Sequence, residues 1–293
     1  MSRDDLSVVT LPAGLTVGEL RHQTAVLRPL TGREELLLAT TVTGVCTAER
    51  VTALLSRCLD RLGPNPVGPD QVRALTVGDR EVLLLHLRSA TIGDRIDCLL
   101  TCPDPMCGER IDVELRTKDL LLAPYVDAPS WREESFPAGP GKLRVRFRLP
   151  TGADQEAVAA LADTDAEAAA AALLRRCLDR IEDDTGEPVA ELAGETGAEV
   201  AARMAELDPQ AEIRLRLECP ACKAPIEVLF DTASFFFSEM AASEERLFEE
   251  IHTLAWYYHW GEDEILNLTA RKRRRYLDLI AASLNKAIEG GLT

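Results

Sequence analysis

A nine-residue stretch that occurs twice constrains the fold of this chain more than any other sequence feature. The sequence LLSRCLDRL at residues 54–62 returns as LLRRCLDRI at residues 173–181, and seven of the nine positions are identical. Upstream of each copy, LTGREE at residues 30–35 is echoed by PTGADQE at residues 150–156. Similar islands in the same order indicate that a structural unit has been duplicated.

A third pair of similar islands lies downstream of the repeated stretch. IDCLLTC ends at Cys102, and IRLRLEC ends at the corresponding Cys219. We therefore expect two copies of one unit, joined by a linker that contains several prolines and glycines. The predicted divisions are an N-terminal segment at residues 1–27, a first unit at 28–118, a linker at 119–147, a second unit at 148–232 and a C-terminal helical region at 233–293.

Apolar residues change their spacing within each predicted unit. In the first unit, residues 53–62 and 77–87 have apolar positions at helical spacing, which predicts two helices. Ile96, Cys98 and Leu100 then alternate with polar residues, which is typical of a half-buried strand. The predicted fold class is α+β, with two repeated helix–helix–strand–knuckle–strand units followed by C-terminal helices.

Two cysteine pairs occupy corresponding places in the two units. Cys102 and Cys107 are spaced as C-x4-C, and Cys219 and Cys222 as C-x2-C. Two thiolate pairs on tight turns can present four sulfurs to one tetrahedral Zn²⁺ at about 2.3 Å. The sequence therefore predicts a single zinc site that both units share, closed to further ligands and hence structural. Free thiols on turns are the alternative, and a redox pair is disfavoured because no thioredoxin-like pattern surrounds either pair.

The charge and hydropathy of the chain exclude several classes of protein. With 33 Lys and Arg against 49 Asp and Glu, its formal net charge of −16 argues against general coating of nucleic acid. No apolar run approaches the roughly 20 residues that span a bilayer, and no secretory signal is present, so we expect a cytoplasmic protein. Common motifs of nucleotide-binding, hydrolytic and metalloprotease sites are missing from the sequence. We therefore expect no enzymatic activity.

The C-terminal region combines a dense aromatic group with a run of basic residues at 271–275. Tryptophan, tyrosine and arginine are the residues that protein interfaces favour, which predicts a partner-binding surface. Packing of a helical hairpin and a solvated helix face are the alternative interpretations. The predicted binding residues are the anchors Trp256, Tyr257, His259 and Trp260 and the steering charges Arg273, Arg274 and Arg275.

The string IHTLAWYYHWGEDEILNLTARKRRRYLDLI at residues 251–280 resembles a signature of proteins encoded beside contractile-tail genes. These genes belong to phages and to extracellular contractile injection systems. Residues 75–107 and 11–35 are similar to the same group, which comprises baseplate proteins of the T-even phage type and includes hub assembly factors.

This resemblance implies a baseplate component or assembly chaperone that binds other tail proteins, such as tube, hub or tape-measure subunits. The expected location is the cytoplasm or the contractile particle itself. The alternative is a zinc-ribbon protein that binds nucleic acid. It is disfavoured because only Arg110 and Lys223 place basic charge immediately beside the cysteines.

Overall fold

A computed structural model describes residues 6–39, 44–125 and 130–290 of the chain, with side chains in the last helix described as far as residue 286. The ends of the predicted N-terminal and C-terminal segments, residues 1–5 and 291–293, and residues 126–129 of the predicted linker lie outside these ranges. The elements in chain order are β1 (Ser7–Val17), β2 (Leu20–Leu27), α1 (Gly32–Ala39), α2 (Thr47–Cys58), β3 (Leu59–Leu62), β4 (Asn65–Pro66), α3 (Pro69–Ala74), α4 (Val77–Thr91), β5 (Arg95–Thr101), β6 (Arg110–Arg116), α5 (Thr117–Leu120), β7 (Arg132–Ala138), β8 (Gly141–Phe147), α6 (Gly152–Ala162), α7 (Ala166–Cys177), β9 (Leu178–Glu182), α8 (Gly194–Leu207), β10 (Arg214–Glu218), β11 (Pro225–Leu229), α9 (Thr232–Ala241), α10 (Glu244–Tyr258), α11 (Glu262–Leu266) and α12 (Ala270–Gly290). This mixture of helix and sheet confirms the predicted class. None of the helices in the described ranges is long and apolar enough to cross a membrane.

Two antiparallel sheets are built with the same strand pairing. Strand β2 lies between β1 and β3, and strand β8 lies between β7 and β9. Leu27 pairs with Leu59 in the first sheet and Phe147 with Leu178 in the second, and the register shifts at this point in both. In each case a hairpin is followed by two helices and then by a strand that returns to the hairpin.

The repeated nine-residue stretch spans the junction between a helix and a strand, which differs from the single helix predicted for residues 53–62. Helix α2 ends at Cys58, and strand β3 begins at Leu59. Leu59 and Leu62 are buried because the chain turns there to pair with β2, which places both side chains in the core. Backbone pairing with a distant strand thus overrides the local helical spacing.

The segment predicted as a linker contains a β-hairpin. Strands β7 and β8 pair from Arg132 with Phe147 to Ala138 with Gly141. Phe136 and Phe147 are buried, with their ring centroids 6.1 Å apart. Pro137 does not disrupt the sheet because β7 is an edge strand, where proline is tolerated. Prolines and glycines in this stretch therefore mark a hairpin and its turn.

The first sheet and helices α1, α2 and α4 enclose the largest apolar core, and α9 completes it. Phe236 and Phe237 of α9 are buried in this core, and the Arg50 guanidinium lies 4.3 Å from the Phe237 ring centroid. The second sheet and helices α7 and α8 enclose a smaller core around Phe147 and Cys177. Helix α9 follows the second half of the chain but packs into the first core, so the chain crosses back after β11.

The C-terminal helices have an apolar core of their own. Leu254 of α10, Ile265 of α11 and Ile280 of α12 are buried together, and Leu36 of α1 packs against them. Helix α10 ends at Tyr258 and is capped by His259, whose backbone is left-handed with φ +58° and whose N–H donates to the Ala255 carbonyl at 2.9 Å. The helical character predicted for this region matches these elements.

Candidate metal centre

Two β-hairpins carry the four cysteines of the predicted metal site. Strands β5 and β6 pair as far as Thr101 with Arg110, and strands β10 and β11 as far as Glu218 with Pro225. The cysteines lie in the turns that close these hairpins. The hairpins thus present both pairs at their tips.

The two turns close with the same hydrogen bond in spite of their different cysteine spacing. The Cys102 N–H donates to the Glu109 carbonyl at 2.8 Å, and the Cys219 N–H donates to the Ala224 carbonyl at 2.9 Å. The residue after the second cysteine of each pair has a left-handed backbone, with φ +58° at Gly108 and +63° at Lys223.

The longer C-x4-C spacing is accommodated within the first turn by Asp104. Its carbonyl accepts the Cys107 N–H at 3.0 Å, and its side chain accepts the Met106 N–H at 2.9 Å. These bonds form a compact turn of the kind that aspartate favours. The two additional residues are therefore absorbed locally, and both knuckles can bring their sulfurs to the same point.

The four sulfurs lie at the distances that a tetrahedral metal ion requires. Cys102 Sγ is 3.6 Å from Cys222 Sγ, and Cys107 Sγ is 3.8 Å from Cys219 Sγ. All four sulfurs lie within 4.8 Å of one another. A tetrahedron with metal–sulfur bonds of about 2.3 Å has sulfur–sulfur edges of about 3.8 Å. The prediction that both cysteine pairs meet at one place is confirmed, and the donor set fits a single metal ion.

The environment of the sulfurs is apolar on one side and open to solvent on the other. Cys102 and Cys219 are buried beside Ile111 and Ile226, whereas Cys222 is exposed. The backbone N–H of Cys222 lowers the pKa of Cys219 to about 7. A backbone hydrogen bond from Asp104 acts to lower the pKa of Cys102, but desolvation and the neighbouring thiols raise it to about 12.

Among the residues that the structure describes, this candidate metal cluster consists of the four cysteines alone. Four thiolates complete a tetrahedral zinc shell, which leaves no coordination position for water or substrate. Lys223 pairs with Glu218 at 3.5 Å, so its charge is balanced within its own hairpin. The arrangement suits a structural cross-link, and it provides little basic surface for nucleic acid.

Other cysteines serve the apolar cores. Cys58 and Cys177 are fully buried, one in each sheet-containing core. Burial raises the pKa of Cys58 to about 12 and that of Cys177 to about 11. Buried thiols of this kind behave as small apolar side chains.

The four aromatic residues predicted to anchor a partner lie in different environments. Trp256 is 70% exposed and Tyr257 is 46% exposed, and His259 is exposed as well. Trp260 is half-buried because its ring stacks on Tyr258 at 4.8 Å and contacts Tyr276 edge-on at 4.9 Å. Three of the four side chains are therefore accessible, and Trp260 mainly packs the C-terminal core.

Two accessible side chains on α10 were missed by the sequence analysis. Phe248 is 43% exposed, and the His252 ring stacks with Trp256 at 6.5 Å. Phe248, His252 and Trp256 recur every four residues, which places them on one face of the helix. This spacing of four residues in the sequence could have identified the shared helix face.

Arg273 was predicted to steer association, and the structure contradicts this role. Its side chain is only 1% exposed and forms ion pairs with Glu35 at 2.6 Å and Glu250 at 2.7 Å. A charge that is buried and paired in this way is not presented to an approaching protein. Arg274 and Arg275 are exposed, so the basic patch is narrower than the sequence suggested.

One comparison with known proteins gives a match. The model of a family described as T4 bacteriophage base plate protein matches residues 13–237. This range begins within β1, contains the other strands of both sheets and all four cysteines of the cluster, and ends within α9, before helices α10 to α12. No curated protein and no solved structure gives a significant match.

Proposed function

Because the chain belongs to the T4 bacteriophage base plate protein family, we propose that it acts in the baseplate of a phage-tail-like contractile injection system. It works there as a non-enzymatic, zinc-stabilised component or as a chaperone of baseplate assembly. The family match over residues 13–237 is the observation that carries this proposal. The sulfur cluster supports it because a closed thiolate site stabilises a fold without offering a reactive centre.

The proposed body of the protein consists of two duplicated units. The hairpins β1–β2 and β7–β8 are each followed by an arginine that pairs with a buried carboxylate in the first turn of the next helix, Arg28 with Glu34 and Arg148 with Asp154. Thr31 and Thr151 donate to these carboxylates from matched positions. Matching ion pairs and matching sheets support a common origin for residues 28–118 and 148–232. We assign the preceding hairpins, β1–β2 and β7–β8, to the first and the second unit respectively.

The proposed metal is one structural Zn²⁺ that cross-links the two units through Cys102, Cys107, Cys219 and Cys222. Elemental analysis of protein purified without added metal should give about one equivalent of zinc per chain. Cys219→Ser should lower this content, whereas the matched variant Cys58→Ser, in the buried core, should retain it. Less than about half an equivalent in the wild type would contradict the proposal.

The proposed partner-binding surface lies on the exposed side of α10, where Trp256, Tyr257 and His259 are accessible. Arg274 and Arg275 add positive charge on α12. The partners are other tail or baseplate proteins, among them tube, hub or tape-measure subunits. Exposed aromatic residues are frequent binding hot spots, and a single truncation there often costs more than about 1 kcal/mol of binding free energy.

Point substitutions in the full chain test this surface, because removing the C-terminal helices would expose the apolar residues of α1. Trp256→Ala should weaken co-purification of the neighbouring tail proteins. Trp131→Ala provides the control, since Trp131 is 37% exposed and lies near Arg146, outside the C-terminal region. Equal co-purification of the tail proteins by Trp256→Ala and Trp131→Ala would contradict a binding role for α10.

Deletion of the gene distinguishes a role in the tail from any other role. Electron microscopy should show loss of complete contractile particles, and the wild-type gene should restore them. Mass spectrometry of purified particles then separates the two forms of the proposal: a stoichiometric amount indicates a component, and absence indicates a chaperone. Normal numbers of intact particles in the deletion strain would refute both forms.

A further inference from the structure

The turn between α3 and α4 holds the first turn of helix α6. The Gly152 N–H donates to the Leu75 carbonyl at 3.1 Å, and the Val77 N–H donates to the Pro150 carbonyl at 3.1 Å. Gly152 lies against the buried guanidinium of Arg80, which a Cβ at this position would overlap. This joint therefore needs a glycine at the start of the seated helix.

The turn between α11 and α12 holds the first turn of α1 in the same way. The Gly32 N–H donates to the Leu268 carbonyl at 3.1 Å, and Thr31 bridges to Thr269. A Cβ on Gly32 would lie 3.2 Å from Nη1 of Arg273, so a buried arginine again faces a glycine.

The sequences of these two joints agree as closely as their geometry. The first joint has the sequence GPDQVRALT at residues 68–76, and the second has GEDEILNLT at residues 261–269. The final threonine of each string lies four positions before the buried arginine, Arg80 or Arg273. In both, a side chain three residues after the glycine accepts its N–H, at 3.0 Å in the first joint and 2.9 Å in the second. The C-terminal helices thus repeat the seat that α3 and α4 provide, and each seat holds a helix that begins at the glycine of a Thr-Gly pair.

The corresponding place in the second half of the chain is open. With the knuckles aligned from Cys102 to Cys219, Arg80 corresponds to Gly197 of α8. Leu192 and Gly197 line a cavity of about 750 Å³ between α7 and α8. In the described parts of the chain no helix is seated there, and Ala171 and Ala198 on its walls are exposed.

We propose that this cavity binds the first turn of a helix from another protein, and that this helix carries a long basic side chain at its first position. In the two occupied seats that position must be glycine because an arginine of the seat faces it. In the cavity, Gly197 stands at the position that Arg80 has in the first seat, so no arginine occupies that space. The incoming helix can therefore supply the cationic side chain. The Thr-Gly helices of a second copy are already seated in their own chain, which favours a different protein.

The chemistry of the cavity fits an aliphatic stem with a cationic end. Ala170, Ala171 and Leu174 form its apolar wall. In its charged lining, the three carboxylates of Glu167, Asp179 and Glu191 outnumber the two guanidinium groups of Arg175 and Arg180. A lysine or arginine can pack its methylene groups on such a wall while its charge stays near carboxylates. Residues 151–250 hold 24 acidic and 8 basic residues, so the surrounding surface attracts a basic helix.

Two synthetic peptides test the proposal against the full-length, zinc-loaded protein. The first is residues 148–162 of this chain, stabilised by a side-chain lactam on its outer face, and the second is the same peptide with Gly152→Lys. Fluorescence anisotropy should show saturable binding of the lysine peptide, about tenfold tighter than that of the glycine peptide. A tenfold change corresponds to about 1.4 kcal/mol of binding free energy.

Variants on one helix provide the matched comparison. Ala201→Leu narrows the cavity and should weaken binding of the lysine peptide at least about tenfold, whereas Ala202→Leu, on the same helix but outside the lining, should leave it unchanged. Circular dichroism and zinc content check that both variants are folded. Absence of saturable binding, or equal binding by both variants, overturns the proposal. Dimerisation of the wild type that Ala201→Leu abolishes would also overturn it, because the occupant would then be a second copy.

Discussion

Substitution of Arg273 should show that the C-terminal helices are held to the body by a buried ion pair. The Arg273 side chain of α12 lies between Glu35 of α1 and Glu250 of α10, whose side chains are 12% and 10% exposed. Its Nη1 also donates to the Leu268 carbonyl at 2.9 Å. One residue therefore connects three helices.

The expected loss of stability follows from the burial of the partners. Arg273→Ala leaves two carboxylates in a desolvated site, and Oε1 of Glu35 already has no hydrogen-bond partner among the described residues. Removing one member of a buried ion pair typically costs about 3–5 kcal/mol. The neighbouring variant Arg274→Ala removes an exposed charge from the same helix and should change the free energy of unfolding by at most about 0.5 kcal/mol.

Urea denaturation measures both variants. Tryptophan fluorescence is informative because Trp256 lies on α10 and Trp260 lies between α10 and α11, so local detachment would precede the change in circular dichroism. Adding Glu35→Gln and Glu250→Gln to Arg273→Met should recover part of the loss, since the buried charges are then removed. Equal losses for Arg273→Ala and Arg274→Ala would refute the structural role assigned to Arg273.

Gly152→Ala should lower the free energy of unfolding by about 1–3 kcal/mol because its Cβ would overlap Arg80, as overpacking does elsewhere. Gly197→Ala should raise the free energy of unfolding by up to about 1 kcal/mol, since its Cβ would lie 3.5 Å from Leu174 in ordinary contact and alanine favours the helix. Urea denaturation compares the two variants. If Gly152→Ala were the more stable of the two, the assignment of the seats would be contradicted. Burial raises the pKa of Asp79 to about 7, so the stability that this group contributes is fully present below about pH 4 and is lost as the pH rises through about 7. Denaturation of the wild type and Asp79→Asn between about pH 5 and pH 8 should give different slopes against pH, and parallel curves would show that Asp79 does not titrate in this range.

The cysteine cluster could be predicted from the sequence because its signal is local. Each pair lies on one turn, and the strands that flank it alternate apolar and polar residues over a few positions. The similar islands before Cys102 and Cys219 then place the two turns at corresponding points of the chain. Only the meeting of the hairpins depends on the whole fold, and the similarity of the two halves in sequence made that meeting a reasonable expectation.

The β7–β8 hairpin and the burial of Arg273 could not be predicted from local sequence patterns. Residues 132–147 contain turn-forming residues that serve a linker and a hairpin equally well, and only pairing with β9 decides between them. Arg273 lies in a run of five basic residues that indicates a solvated face. The glutamates that bury it are 23 and 238 residues away in sequence, so no local pattern identifies them.

The structure also bears on what the proposed metal would stabilise. If the four sulfurs were the main link between the two halves, loss of zinc would let them separate. However, α6 is seated on α3 and α4, and Glu156 of α6 accepts a hydrogen bond from Arg73 at 2.8 Å. Helix α9 is buried in the first core, where Glu239 pairs with Arg88 at 2.7 Å. These contacts lie outside the knuckles, so the proposed cross-link would act on halves that are already joined. Its main effect would therefore be to fix the two hairpin tips, which meet at the sulfurs and at a small apolar cluster around Ile111 and Ile226.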